Sequence, residues 1–262
     1  MFNLKDTFQK AGESLGFLGV CLAVFAGLFI IAFLFERLVM KERRRFSDTH
    51  YIAYVAMFSA MAGVLMLLEF PLAFFAPSFY KLDFSELPVM ICTFYLGPVA
   101  GVVTELIKIV LKLVMKGTST AFVGDFANFA VGCAFVLPAS IVYHLKPGKK
   151  TALMGLLTGT IVMTIFGSAF NALYLIPKFA ELFHKELGAI ISMGTAINPK
   201  ITSVWTLVFF AVVPFNLIKG AAVTLLSFLL YKRISPIMHK ADSMRAAKKR
   251  KIVPASSPND EK

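Results

Sequence analysis

A lysine and an asparagine interrupt the last long apolar run of the chain, and their types suit them to hold a polar ligand. The run covers residues 201–231 and carries Asn216 and Lys219 near its middle. A run of this length spans a bilayer, so both side chains are expected near the membrane midplane. A charge there costs about 2.5–3.5 kcal/mol on insertion scales unless it faces protein or a water-lined cavity. Because residues three apart share a helix face, the pair is predicted to form the floor of a polar pocket.

Two further asparagines lie in other apolar segments, toward the same end of the protein. Asn128 comes early in one predicted span, and Asn171 comes late in the next. An amide offers both donors and an acceptor, which suits the edge of a neutral heterocycle with alternating carbonyl and N–H groups. Hydrogen bonding between packed helices is the structural alternative for each asparagine. The combination with Lys219 favours ligand binding.

An aromatic loop, residues 70–86 (FPLAFFAPSFYKLDFSE), lies at this same predicted end. Its aromatic rings can stack on a flat ligand, or they can form the aromatic belt that is common at a membrane surface. The loop as a whole is a candidate lid over the pocket. The aromatic side chains concerned are Phe74, Phe75, Phe79 and Tyr80.

A second polar stripe follows the spacing of a helix in the segment TELIKIVLKLVMK. Glu105 and Lys108 are predicted to offset each other, unless one of them pairs elsewhere in the bundle. Lys112 and Lys116 are expected near the outer surface, where long side chains reach toward water. The stripe is therefore interpreted as structural rather than as a direct ligand contact.

The composition predicts a polytopic membrane protein built only from helices. Hydrophobic residues make up 58% of the 262 residues and charged residues 16%, whereas a soluble domain carries about 25% charged residues. The third predicted span is short and ends at Gly97-Pro98, which indicates a tight helical hairpin with the fourth. The predicted spans are residues 17–35, 52–68, 87–96, 99–115, 122–143, 152–174 and 201–231.

Lysine and arginine cluster in three stretches, residues 41–45, 146–150 and 240–251. An alternating path through the membrane puts all three on one side, which the positive-inside rule identifies as the cytoplasm. The N-terminus is then outside and the C-terminus inside, in a multi-pass cell-membrane protein. The net charge of +12 is read as this topology signal and not as a nucleic-acid interface, because the basic tail is short and lacks interleaved aromatic residues.

The sequence contains none of the familiar catalytic or metal-binding patterns. There is no Gly-x-x-x-x-Gly-Lys-Ser/Thr loop, no His-Glu-x-x-His and no Gly-x-Ser-x-Gly. The three cysteines lie singly in separate apolar segments, and the four histidines are scattered. We therefore expect neither an enzyme nor a resident metal or cofactor.

A series of short sequence blocks between residues 49 and 239 points to a known family. The blocks are KLDFSELP (81–88), GPVAG (97–101), ELIK (105–108), GDFANF (124–129), Asn171 with LIP (175–177), AINP (196–199) and PFNLIKG (214–220). In this order they resemble the riboflavin-binding S components, the membrane-embedded substrate subunits, of energy-coupling factor (ECF) vitamin transporters.

The resemblance implies a six-helix bundle that captures riboflavin, or a close flavin such as flavin mononucleotide (FMN), from outside. Such a subunit docks on a transmembrane coupling subunit and two cytoplasmic ATPase subunits through an Ala-x-x-x-Ala surface, matched here by Ala56 and Ala60. The residues that the resemblance and the polar pattern together assign to the substrate are Asn171, Asn216, Lys219, Asn128, Phe79, Tyr80 and Leu82. A phosphorylated flavin would need further cations near the mouth, which Lys81, Lys112, Lys116 or Lys178 can supply.

Residues 1–48 depart from the family pattern, because they add a transmembrane helix and a basic linker before the six-helix domain, residues 49–239. Residues 240–262 are expected to be a basic, disordered cytoplasmic tail. The alternative function is a self-sufficient, proton-coupled secondary transporter of a small heterocyclic metabolite. In that case Glu105 or Asp125 would relay protons.

Overall fold

The computed structural model describes residues 15–40, 48–77, 79–118, 120, 122–182 and 186–252. They form a bundle of helices with a two-stranded ladder in one loop. Two π-helical turns, Asn171–Leu175 and Val208–Val212, join α6 to α7 and α9 to α10. The helices are α1 (Leu15–Val39), α2 (Thr49–Leu67), α3 (Glu86–Leu96), α4 (Pro98–Lys116), α5 (Val123–Leu145), α6 (Lys149–Phe170), α7 (Ile176–Leu182), α8 (Leu187–Thr195), α9 (Val204–Leu207) and α10 (Val213–Ile252).

The prediction of an all-helical membrane bundle is confirmed. Within the described ranges, five helical segments are long and apolar enough to cross a membrane: Gly19–Val39, Thr49–Leu67, Val123–Leu145, Lys149–Glu181 and Val204–Tyr231. The predicted spans 87–96 and 99–115 correspond to α3, which is short, and to α4, which carries charged residues. Gly97 alone separates these two helices, and its φ of 108° is a backbone conformation that glycine adopts readily.

Close helix contact in the centre of the bundle depends on small residues. The α5–α6 pair packs tightly, and a β-carbon added at Gly155 would lie 2.5 Å from the backbone oxygen of Ala139. A β-carbon added at Gly159, one turn further along α6, would likewise lie too close to the backbone oxygen of Phe135. Such small-residue contacts allow helix backbones to approach each other in membrane bundles. The core around them includes the stacked rings of Phe94 and Tyr143.

The last helix is longer than the sequence predicts. The disordered tail expected from residue 240 does not hold for residues 240–252, because α10 continues to Ile252. Extending an existing helix avoids the cost of nucleation, and the alanine, lysine and arginine residues of this segment are strong helix formers. Residues 253–262 lie outside the described residues, as do most of the basic linker, residues 41–47, and the first fourteen residues.

The loop between α2 and α3 folds back on itself at the end of the bundle where α4 ends and α5 begins. Its two short strands, β1 (Phe70–Pro71) and β2 (Lys81–Leu82), pair antiparallel with Phe70 opposite Leu82. The predicted aromatic loop, residues 70–86, thus contains both strands, and its described residues 72–77, 79 and 80 lie between them. This arrangement brings the aromatic loop over the ends of α5, α6 and α10.

Candidate functional site

A cavity of about 160 Å³ lies beneath the α2–α3 loop, between α4, α5, the first π-helical turn and α10. Six of the predicted substrate residues line it: Asn128, Asn171, Asn216, Lys219, Phe79 and Tyr80. The structure therefore brings together side chains that lie up to 140 residues apart in the chain. The lining also includes Glu69, Lys81, Asp83, Lys112, Thr120, Asp125, Leu175, Phe179 and Phe215.

Two of the amides meet at Gly167, on the inner face of α6. Asn171 donates from Nδ2 to the Gly167 carbonyl at 2.7 Å. Asn216 reaches the same glycine from α10, where its Nδ2 would lie only 2.9 Å from a β-carbon at residue 167. Glycine at this position therefore leaves room for the second amide. Asn171 begins the π-helical turn, a local widening of the helix that is frequent at functional sites.

Asn216 carries a buried amide donor that has no hydrogen-bond partner in the described part of the chain. Asn216 is 5% exposed, and its Nδ2 makes no hydrogen bond to any described residue. Leaving a buried donor unsatisfied costs about 1–3 kcal/mol. A ligand acceptor in the cavity would remove that cost, so this amide is the clearest polar contact that the cavity offers.

Tyr80 closes the cavity from the loop side. Its hydroxyl donates to Oδ1 of Asn171 at 2.8 Å, and its ring packs against Phe79 and Phe215 with centroid distances of 4.5 and 5.6 Å. Burial raises the pKa of Tyr80 well above its ordinary value, so the hydroxyl remains a donor at neutral pH. The loop is thus tied to the π-helical turn by one hydrogen bond and a group of aromatic rings.

Lys219 is held by carboxylates that the sequence reasoning did not assign to it. Its Nζ lies 3.2 Å from Oδ2 of Asp83 and 3.6 Å from Oε1 of Glu86. Asp83 is oriented by Ser85, whose backbone N–H donates to it at 2.9 Å and whose hydroxyl also donates to it. All three ionic side chains are at most 7% exposed. The lysine is therefore both a cavity residue and one half of a buried ion pair.

The ion pairs continue away from the cavity into the bundle. Lys108 of α4 lies 3.0 Å from Glu86 of α3 and 2.6 Å from Glu105 on its own helix. The predicted pairing of Glu105 with Lys108 is thus present, and Glu86 joins it to Lys219. Buried charges persist in proteins when they are paired in this way.

Each lysine in the cavity lining has a carboxylate partner in the same lining. Besides the Lys219–Asp83 pair, Lys112 lies 2.5 Å from Asp125. Lys81 lies 2.7 Å from Glu69, and Lys116 contacts the same Glu69 oxygen at 2.7 Å. Burial acts to raise the pKa of Glu69, but the hydrogen bonds from Lys116 and Lys81 outweigh it and lower the pKa below its ordinary value. The carboxylate is therefore ionised at neutral pH, and the lining has no excess positive charge.

Several sequence predictions place residues differently from the structure. Lys112 was expected to reach toward the surface; it is instead 7% exposed, because Asp125 offers it a buried partner. Leu82 is buried in the β-ladder opposite Phe70 and is not part of the cavity lining. Phe74 is 76% exposed and packs on Phe75, also outside the lining.

Lys178 likewise does not supply a cation to the cavity. It lies outside the lining and pairs with Glu181 at 2.9 Å. Among the residues that sequence reasoning missed are Asp83, just before α3, and Glu86, its first residue. Two acids in this spacing immediately before an apolar span are the signal that could have identified them.

The predicted docking surface lies on α2. Ala56 and Ala60 are both exposed, one turn apart, and they share their face with the exposed side chains of Met57 and Val64. The surface is shallow because both central side chains are methyl groups. Such a face allows another helix to approach closely.

Comparison with known proteins identifies the family. The model for the ECF transporter substrate-specific component matches residues 50–231. The riboflavin transporter RibU of Staphylococcus aureus (strain TCH60) is 36% identical over 205 residues, covering 78% of this chain and 97% of the relative. The riboflavin transporter FmnP of Bacillus subtilis (strain 168) is 33% identical over 186 residues, covering 71% of this chain and 92% of the relative.

A solved structure supports the same assignment. The S component of a bacterial ECF transporter superposes with a TM-score of 0.58 at 33% sequence identity, covering 73% of this chain and 99% of that one. The family match begins within α2, so α1 is an addition to the region shared with the family. The match in sequence and in fold leads to one conclusion: the chain belongs to the substrate-specific S components of ECF transporters.

Proposed function

We propose that this protein captures riboflavin in the cavity beneath the α2–α3 loop and delivers it inward with the help of ATP-hydrolysing partner subunits. Relatives at 33–36% identity are riboflavin transporters. The observation that carries the proposal is the Asn216 amide, a buried donor that has no partner among the described residues and lines the cavity beside Asn128 and Asn171.

The chemistry of the lining suits the flavin ring. One edge of that ring alternates carbonyl oxygens with an N–H group, and amides can donate to the former and accept from the latter. Asn216 and Lys219 lie on neighbouring turns of α10 and offer donors from one side. Phe79, Tyr80 and Phe215 provide ring faces that can stack on a flat heterocycle.

The size of the cavity indicates that the loop must move for binding. Ligand pockets usually enclose about 300–1,000 Å³, whereas this cavity encloses about 160 Å³. Tyr80 and Phe79 occupy its loop side, and Tyr80 holds the Asn171 oxygen. Withdrawal of the loop would enlarge the cavity and release the Asn171 oxygen for the ligand. This supports a lid role for residues 70–86.

The charge balance of the lining favours riboflavin over FMN. Riboflavin is uncharged at neutral pH, whereas FMN carries a phosphate with about two negative charges. Lys81, Lys112 and Lys219 are all engaged by carboxylates. A phosphate would therefore have to displace a carboxylate from a lysine and would then lie close to that displaced charge.

The partner subunits are proposed to dock on the face of α2 formed by Ala56 and Ala60. Both residues are exposed, and the face lies on the helix that opens the region shared with the family. The distribution of lysine and arginine supports an orientation with the cavity outside and the C-terminus of α10 in the cytoplasm. Substrate would then be bound from outside and released toward the ATPase side.

Replacing the unsatisfied donor tests the site. Asn216→Leu should weaken riboflavin binding at least about tenfold, because one hydrogen bond to a buried group is lost. The matched control is Ser227→Ala, on the same helix. Ser227 is buried, its hydroxyl likewise has no partner within the described ranges, and it is not part of the lining. Riboflavin titration of the purified proteins measures both. Equal affinities for Asn216→Leu and the wild type would remove Asn216 from the site.

Competition between flavins tests the charge argument. We expect riboflavin to displace FMN with an affinity advantage of at least about tenfold, corresponding to about 1.4 kcal/mol. Glu69→Gln should reduce the affinity advantage of riboflavin over FMN, because Lys81 and Lys116 lose their shared carboxylate and can then attract the phosphate. The control, Glu181→Gln, removes the partner of Lys178 outside the cavity. It should leave the ratio of the two flavin affinities unchanged. Tighter binding of FMN than riboflavin by the wild type would contradict the argument.

A bulky residue on α2 tests partner docking. Ala60→Phe should reduce cellular riboflavin uptake while the purified protein still binds riboflavin, because the ring would block close helix approach. Ala26→Phe, on the exposed face of α1, makes the same change elsewhere on the surface and should leave uptake unchanged. Uptake that persists without the ATPase partners and collapses with the proton gradient would instead favour a secondary transporter.

A further inference from the structure

The N-terminal helix α1 packs along the bundle by one continuous stripe. The half-buried or buried side chains of Cys21, Phe25, Leu28, Ala32 and Glu36 recur every three or four residues along it. This spacing places them on one helix face. Ala32 is fully buried. The stripe faces α4 and α5, where the ring of Phe25 lies 5.8 Å from that of Phe129.

The first part of the stripe supports the wall of the cavity. Cys21 and Val24 pack against the buried cluster of Val123, Phe126 and Leu175. Leu175, at the end of the first π-helical turn, also lines the cavity. α1 therefore lies directly behind one side of the site.

The last residue of the stripe contacts the beginning of α4. Oε1 of Glu36 accepts a hydrogen bond from the backbone N–H of Val99 at 2.9 Å. Gly97, at the N-cap position, has no side chain to cap the helix, and Pro98 has no N–H group. The Val99 N–H would otherwise be one of the unsatisfied donors at a helix start. A carboxylate is also favoured there by the helix dipole.

The glycine before α4 makes this contact possible. A β-carbon at Gly97 would lie 2.6 Å from the same Glu36 oxygen. The absence of a side chain therefore leaves the space that the carboxylate occupies. The Glu36 acceptor on α1 and the space at Gly97 between α3 and α4 therefore both contribute to the same contact.

We infer that α1 stays docked on α4 and α5 in this S component and that the hydrogen bond between Glu36 and the start of α4 holds it there. Glu36 is then a positioning residue for the binding site. α4 carries Lys108 and Lys112, which belong to the ion pairs beneath and beside the cavity. α1 lies against α4 and α5, so it leaves the Ala56 and Ala60 face of α2 exposed. The inference concerns the helix contact and does not depend on the identity of the ligand.

The native thiol of Cys21 reports whether α1 is docked. In the purified full-length protein, labelling of Cys21 by N-ethylmaleimide is followed by mass spectrometry, with buried Cys133 as the internal reference. Glu36→Leu should raise the Cys21 labelling rate about 2- to 30-fold, the equilibrium equivalent of losing a helix cap. Glu36→Gln should have a smaller effect, because its amide oxygen can still accept from Val99.

The control is Leu38→Gln, which introduces an amide near the same end of α1 at a side chain that is 79% exposed. It should leave the labelling rate unchanged. Riboflavin dissociation, measured in parallel, should be faster for Glu36→Leu than for Leu38→Gln. The inference would be overturned if Cys21 were labelled at the same rate in the wild type and in Glu36→Leu. It would also be overturned if Glu36→Leu and Leu38→Gln raised the labelling rate equally. If Glu36→Leu does not fold, Glu36→Ala decides, because it removes the acceptor without adding a bulky side chain: a Cys21 labelling rate above that of Leu38→Gln supports the inference, and an equal rate overturns it.

Discussion

The ion pair between Lys219 and Asp83 is the interaction on which the site depends. It joins α10 to the segment before α3, which lies 136 residues earlier in the chain. Breaking a buried pair by removing one partner typically costs about 3–5 kcal/mol, so the two segments hold each other in place. Through Glu86 the same contacts reach Lys108 and Glu105 on α4. The short α3 and the charged α4 remain inside an apolar bundle because each supplies the other's counter-ions.

The same ion pairs bear on the recognition proposed for the cavity. Lysines that are already neutralised by carboxylates do not attract an anion strongly, but their remaining N–H groups can still donate hydrogen bonds. In the proposed function, the Asn216 amide, whose Nδ2 has no hydrogen-bond partner among the described residues, and the ring faces of the loop would provide selectivity for a flat, uncharged, polar ring. The arrangement thus combines paired charges at the base of the cavity with an aromatic loop at its mouth, which we propose to act as a lid. α1 adds support from behind, because it contacts both the start of α4 and the cluster around Leu175.

The sequence predicts the spans and the polar centre of the site, and the reasons are local. Asn216 and Lys219 lie three residues apart in an apolar run, so one helix was enough to place them on the same face. The Gly97-Pro98 hairpin is also a local feature, as is the close spacing of Glu105 and Lys108. Assigning six of the seven predicted substrate residues to one cavity required only that several amides and aromatic rings lie toward one end of the bundle.

The remaining features depend on contacts between distant parts of the chain. The sequence shows that Lys219 needs a partner or a ligand, but not that Asp83 and Glu86 are that partner. Lys112 could have extended to the surface, and only the position of Asp125 makes the buried pair available. Leu82 lies between Lys81 and Asp83, which both line the cavity, but its own side chain is buried in the β-ladder and is not part of the lining. The Glu36 contact depends on the register of α1 along α4, which no short pattern reveals.

The most direct test of this account is a double-mutant cycle on the central ion pair, measured by riboflavin titration of folded protein. The four proteins are the wild type, Asp83→Asn, Lys219→Met and the double variant. If Asp83 acts by positioning Lys219, each single change weakens binding, and the double variant binds about as well as Lys219→Met alone. Additive losses, or unchanged affinity in Lys219→Met, would show that the ion pair does not organise the site.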